Sequence, residues 1–141
     1  MIVEWDDLPA LTGAVTMISG GFDPLHGGHV AYVSAAAALG QPVLCAVDPD
    51  AYVATKHPVL LPQDERVRVI DALADVEYVH PAATPIGAVL EQLRPRYFVK
   101  GSDWKEKLPE QEICDANEIE VVFVDTVTNS SSDLVKSLIE R

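Results

Sequence analysis

Five apolar, strand-like runs at residues 14–19, 43–48, 76–79, 96–100 and 120–124 alternate with helix-like runs at about 28–39, 63–74, 85–93, 108–117 and 132–140. Strictly alternating strands and helices with short connections leave few folds open. The pattern predicts an α/β chain, with a parallel sheet covered by helices on both faces. The clearest helix is 85–93, where Ile86, Val89, Leu90 and Leu93 recur at i, i+3, i+4 and i+7. Thr84 is its expected cap and Pro85 sits in its first turn. Neither repeat nor linker interrupts the alternation, so residues 1–141 are expected to form one domain, with 1–13 as an acidic, irregular N-terminal arm docked on it. Composition agrees, since 48% hydrophobic residues over 141 positions suffice for one core. The expected sheet is doubly wound, five-stranded and ordered 3-2-1-4-5.

In that order the switch point lies between strands 1 and 4, and ligands bind outside the carboxyl ends of the strands there. Three polar loops converge on the same place. After strand 1 comes Gly20-Gly21-Phe22-Asp23-Pro24-Leu25-His26-Gly27-Gly28-His29. After strand 4 comes Lys100-Gly101-Ser102-Asp103-Trp104, and strand 5 leads into Asn129-Ser130-Ser131-Ser132. His26 and His29 share a face at a helix start, where free backbone N–H groups and the helix dipole favour phosphate. Gly27 and Gly28 let the backbone approach a ligand. By spacing alone the pair is also compatible with two surface histidines, or with a zinc site recruiting His57, His80, Asp23 or Asp103.

Cations are scarce, which makes their positions informative. The formal net charge is −12 with only ten Lys and Arg, a balance that disfavours nucleic acid or an anionic membrane as partner. On the 63–74 helix, Val67, Ile70 and Ala74 define the expected buried stripe. At about 100° per residue, Arg66 lies roughly 50° from the stripe's centre and Arg68 roughly 150° away. Arg66 therefore leans inward and needs an anionic partner, either a carboxylate such as Asp71 or Asp75 or a ligand. Lys56 follows strand 2 as a loop lysine, by itself compatible with a solvated charge. Lys100 ends strand 4 and could meet a phosphate or pair with Asp103. Trp104 is placed to stack on a base or to plug the pocket. Ser130 with Asp133 fits a capping box, whereas three hydroxyls at a helix start fit phosphate better.

Cys45 and Cys114 are isolated, and Cys45 lies in an apolar run, so a buried free thiol is expected there. The first residues are acidic, with no signal-peptide pattern, and the longest apolar stretch, 30–39, is too short to span a bilayer. A cytoplasmic protein with no membrane partner is the expectation.

The loop after strand 1 resembles the signature of the cytidylyltransferase-like nucleotidyltransferases, Gly-x-Phe-Asp-x-x-His-x-Gly-His, matched by Gly21, Phe22, Asp23, His26, Gly28 and His29. The resemblance extends from about Val15 to Ile139. Asp48-x-Asp50, Lys56, the Pro62 to Ile70 helix with Glu65-Arg66, Val99-Lys100-Gly101-x-Asp103 and the hydroxyl-rich turn keep the family's order and spacing. It implies a Rossmann-like fold and transfer of a nucleoside monophosphate from ATP or CTP, with Mg²⁺, to a small phosphorylated acceptor. Pyrophosphate would leave. By resemblance His26, His29, Lys56 and Arg66 would act on the triphosphate. Gly20, Gly21, Phe22, Asp23, Gly28, Lys100, Gly101, Asp103, Trp104 and Ser130 to Ser132 would bind the nucleotide, and no residue is assigned as a metal ligand.

The run from Thr84 to Asp103 resembles the heptose-phosphate adenylyltransferase branch. Trp104 after Asp103 resembles the glycerol-3-phosphate cytidylyltransferase branch. Asp125 stands where many cytidylyltransferases carry an Arg. The expectation therefore leans to ATP and a sugar 1-phosphate, heptose 1-phosphate-like. The alternatives are a glycerol-3-phosphate-type cytidylyltransferase and a non-catalytic nucleotide-binding regulatory domain. The similar His-x-Gly-His of class I aminoacyl-tRNA synthetases is a third, opposed by the short acidic chain and the missing Lys-Met-Ser-Lys-Ser-like loop. A homodimer is a further possibility that the resemblance raises.

Overall fold

Side chains along the central strands alternate between two apolar layers. Met17, Leu44, Ala46 and Phe98 enter one, and Ile18, Cys45, Val47 and Val99 enter the other. The computed structural model describes residues 1–125 and 131–140. Its strands are β1 (Thr16–Gly20), β2 (Val43–Val47), β3 (Tyr78–Pro81), β4 (Tyr97–Gly101) and β5 (Glu120–Val124). All pair in parallel, in the order β3-β2-β1-β4-β5. This is the expected doubly wound order.

Helices close both layers, as a sheet buried on two faces requires. The helices are α1 (Gly27–Ala37), α2 (Asp50–Val53), α3 (Gln63–Asp71), α4 (Ile86–Leu93), α5 (Gln111–Ala116) and α6 (Ser131–Ile139). α1 contributes Tyr32, Val33 and Ala36 to one layer, and α3 adds Val67 and Ile70. α4 contributes Val89, Leu90 and Leu93 to the other, with Cys114 from α5. Among the described residues no helix is long and apolar enough to cross a membrane. Both cysteines are buried and free.

The arm is more ordered than its sequence suggests. Val3 donates to the Val79 carbonyl at 2.8 Å, and Val79 donates to that of Met1 at 2.9 Å. The first residues thus cover the outer edge of β3, which would otherwise expose unpaired backbone. A 3₁₀ turn, Trp5–Leu11, then inserts Leu8 fully into the core. Two helix details also differ from expectation. Pro85 itself occupies the N-cap of α4 with no side-chain cap, and the Thr84 hydroxyl donates to the Pro85 carbonyl at 3.2 Å. α3 ends at Asp71, so Ala74 lies beyond it and is exposed.

Candidate active site

A crevice of about 360 Å³ opens at the carboxyl ends of β1 and β4, where the sheet changes direction. The β1–α1 loop forms one wall. Phe22 there has φ of 53°, uncommon for a residue with a side chain. Its ring lies edge-on to His29, with centroids 4.9 Å apart. The same ring covers Gly20, where a Cβ would come within 3.1 Å of it. Gly20 is thus needed for a close approach.

The two histidines cap α1 reciprocally. His26, extended at the N-cap, accepts the Gly28 N–H on Nδ1 at 3.0 Å. His29 Nδ1 accepts the His26 N–H at 3.2 Å. The rings stack with centroids 3.8 Å apart. An Nδ1 that accepts a backbone N–H carries no proton, so each neutral ring holds its proton on Nε2. Burial lowers the pKa of His26 below its usual value. Burial, followed by the neighbouring His26, lowers that of His29 to about 4. Both rings are therefore neutral Nε2–H donors at neutral pH. His29 lines the crevice. The Nε2 of His26 is buried with no partner among the described residues.

Asp23 faces the crevice, but its carboxylate is already engaged. Its oxygens accept the Leu60 and Leu61 N–H groups at 2.8 and 2.9 Å, pinning the segment that leads into α3. Arg66 leans inward as its helix position predicts, and is fully buried. Its partners are neither Asp71 nor Asp75 but three backbone carbonyls and Asp50. Nε donates to the Leu61 carbonyl at 3.0 Å, and Nη1 to those of Gly21 and Asp48, both at 2.8 Å. Nη2 pairs with Asp50 at 2.6 Å. Arg66 thus braces the loops after β1 and β2 from behind and does not line the crevice. Arg68 is exposed and pairs with Glu65 at 3.2 Å.

The opposite wall carries the free cations. Among the described residues, the salt bridges are Met1–Asp71, Arg66–Asp50 and Arg68–Glu65, so neither Lys56 nor Lys100 is in one. Lys56 Nζ lies 4.7 Å from the Tyr52 ring centroid, and Lys100 Nζ lies 4.9 Å from that of Trp104. Burial lowers the pKa of Lys100, opposed by Glu110 and Asp48. Burial raises that of Asp48, opposed by Lys56, Lys100 and Arg66. Two ammonium groups bordering one crevice without a paired carboxylate, Lys100 half-buried and Lys56 exposed, suit an anionic ligand.

Gly20, Gly21, Gly101, Asp103, Trp104, Ser131 and Ser132 also line this space. Gly28 contributes through the N–H that holds His26. The Ser131 hydroxyl donates to the Pro24 carbonyl at 2.8 Å, tying the start of α6 to the β1–α1 loop. Ser130, and with it the capping box drawn to Asp133, lies outside the described residues. Asp125 accepts a hydrogen bond from the Ser102 hydroxyl at 2.6 Å, joining β5 to the turn after β4. Among the described residues no group of three or more His, Cys, Asp or Glu could hold a metal ion, so the zinc alternative has no ligand set there.

A second compartment of about 580 Å³ adjoins the first and shares Asp48, Tyr52, Lys56, Lys100 and Trp104 with it. It continues to Thr84–Ile86 and Glu110. Sequence reasoning assigned no role to Tyr52 or Glu110 and weighed His57 only as a zinc ligand. Tyr52 sits on α2, a four-residue helix too short to show a period. The signal that did exist was Asp48, the polar residue ending the apolar run of strand 2.

The model of the cytidylyltransferase-like family matches residues 17–137. The chain is 37% identical over 134 residues to the bifunctional protein HldE of Aeromonas hydrophila subsp. hydrophila, covering 90% of this chain and 28% of that protein. It is 33% identical over 141 residues to the bifunctional protein HldE of Pseudomonas fluorescens, covering 96% of this chain and 30% of that one. The chain thus spans between a fifth and three-tenths of the length of the curated relatives it matches. Among solved structures, the lipopolysaccharide core biosynthesis protein from Thermoplasma volcanium superposes with a TM-score of 0.67 at 19% identity, covering 79% of this chain and 96% of that one. At that identity the likeness concerns the fold alone.

Proposed function

The chain belongs to the cytidylyltransferase-like family of nucleotidyltransferases, and on that premise we propose that it moves a nucleoside monophosphate onto a small phosphorylated acceptor. ATP is the favoured donor, with CTP the alternative, and the favoured acceptor is a sugar 1-phosphate. An acceptor phosphate oxygen attacks the α-phosphorus, the bond from that phosphorus to the bridging oxygen breaks, and pyrophosphate leaves. The attacker is already an anion, so no protein nucleophile and no strong base is needed. Positioning and electrostatic stabilisation carry the rate.

The observation that carries this reading is the pair of unpaired lysines facing a fixed Nε2–H donor across one crevice in a chain of net charge −12. In this reading the triphosphate occupies the compartment beside His29, and the acceptor occupies the compartment that runs to Thr84 and Glu110. Lys56 and Lys100 border both. They are where two phosphates would be brought together against their repulsion. His29 donates to the charge that shifts toward the leaving group.

Mg²⁺ enters as an ion carried by the triphosphate. With no three-ligand group among the described residues and both Asp23 oxygens taken by backbone, the donor set fits an ion held by phosphate oxygens and water. Asp103 is the exposed crevice carboxylate that would complete its outer shell. When bound, the ion neutralises charge on the departing pyrophosphate.

The test is a pyrophosphate-release matrix of four nucleoside triphosphates against a panel of sugar and polyol phosphates. Release with ATP and a sugar 1-phosphate is the expected result. Nucleotide binding with no release under any acceptor would instead favour a non-catalytic nucleotide-binding domain.

A further inference from the structure

The crevice contains a third imidazole whose wiring is opposite to that of the other two. His57 is buried and lines the same space as His29, Lys56 and Lys100. Its Nδ1 lies 2.8 Å from the carbonyl oxygen of the next residue, Pro58. A carbonyl only accepts, so Nδ1 is the donor and holds the proton. In the neutral ring Nε2 is then a bare lone pair, and it has no partner among the described residues. A bare lone pair in the wall of a crevice that takes phosphate, as proposed above, would be repelled by that ligand. A proton on Nε2 removes that conflict and leaves the Nδ1–H bond to Pro58 intact.

His26 and His29 cannot do this. Their Nδ1 atoms receive backbone N–H groups, and a second ring proton would break the caps of α1. We propose that His57 is the chargeable imidazole of this crevice, taking a proton from solvent on Nε2 as a nucleotide's phosphates bind and donating it to a phosphate oxygen. This rests on the nucleotidyltransferase reading above and adds a residue to its triphosphate cradle. The groups around it set the coupling. Lys56 and Lys100 on one side, and Asp23, Asp48 and Asp103 on the other, line the same crevice as the ring, so the charge it meets is mixed. The incoming phosphates tip that balance, so proton uptake and binding are linked.

The experiment measures ATP affinity without acceptor, by calorimetry, for the full chain and for His57→Gln, between about pH 6 and about pH 8, where an imidazole titrates. Wild type should bind more tightly than His57→Gln by about tenfold at the acid end, the worth of a charge-assisted hydrogen bond over a neutral one. The advantage should vanish at the alkaline end. Acid also removes charge from the terminal phosphate, but that acts on both proteins alike. His29→Gln should keep the pH-dependent gain in affinity. In wild type, ring nitrogen resonances of His57 should move from the neutral to the doubly protonated pattern when ATP is added near neutral pH, a readout that stands even where the variant folds poorly. An affinity gain that survives in His57→Gln, or a His57 ring that stays neutral in the ATP complex, would overturn the inference alone. A wild-type chain that binds no nucleotide at any pH would overturn the nucleotide reading and the inference together.

Discussion

The two walls of the crevice solve the same electrostatic problem in different ways. The β1–α1 wall offers a neutral donor, His29, whose direction is fixed by the His26 N–H on its Nδ1, with His26 stacked on it from outside the crevice lining. The wall facing it offers full charges on Lys56 and Lys100, with no ion pair among the described residues to hold them. A neutral, capped ring costs the fold little and even helps start α1. A half-buried ammonium outside any ion pair costs stability, which the burial-lowered pKa of Lys100 reflects. One wall is therefore pre-organised by folding, and in the proposed function the other is completed by binding.

The largest effect should come from the fixed wall. His29→Ala is expected to reduce kcat by about 10²–10³, the usual loss for one positioned donor, with circular dichroism unchanged. Near-native pyrophosphate release would break the assignment of that wall. Behind both walls, Arg66→Met should lower the unfolding free energy by about 3 kcal/mol in urea titrations, because Asp50 and three carbonyls lose their donor. A loss confined to KM would show that Arg66 reaches the ligand after all.

The charged wall should show the reverse signature. Lys100→Met is expected to raise KM for nucleotide or acceptor about tenfold while leaving Tm unchanged or slightly higher. A falling Tm would mean that Lys100 holds the fold together. Gly20→Ala is a smaller change, expected to cost about 1–2 kcal/mol by pushing the Phe22 ring, and with it His29, out of place. The pH dependence of stability is the finest test. His29 has a folded pKa of about 4 against 6.5 for the free side chain, so the unfolded chain binds more protons between those values. Its contribution is complete above 6.5 and is lost as the pH falls toward about 4. The slope of urea midpoint against pH in that window should shrink in His29→Gln.

Much of the scaffold was legible because periodicity is local. Strands 43–48 and 120–124 and the helix at 85–93 lie within one or two residues of their places in the fold. The inward lean of Arg66 followed from helix geometry alone. Its partners did not, because three of the four are backbone carbonyls from loops far apart in sequence. The neutrality of His26 and His29 was equally hidden, since it depends on which ring nitrogen meets which N–H. The commitment of His57 Nδ1 to the Pro58 carbonyl is hidden in the same way, because sequence marks the residue only as a potential metal ligand.

Arg66 acts as a keystone. Its guanidinium grips Gly21 on one loop, Asp48 and Asp50 on the next, and Leu61 ahead of its own helix. Those segments cannot open one at a time without stranding a buried charge. The mouth of the crevice therefore inherits the cooperativity of the whole domain. Its amide protons should exchange through a shared opening, and the width of the site becomes a property of the fold as a unit rather than of any single loop.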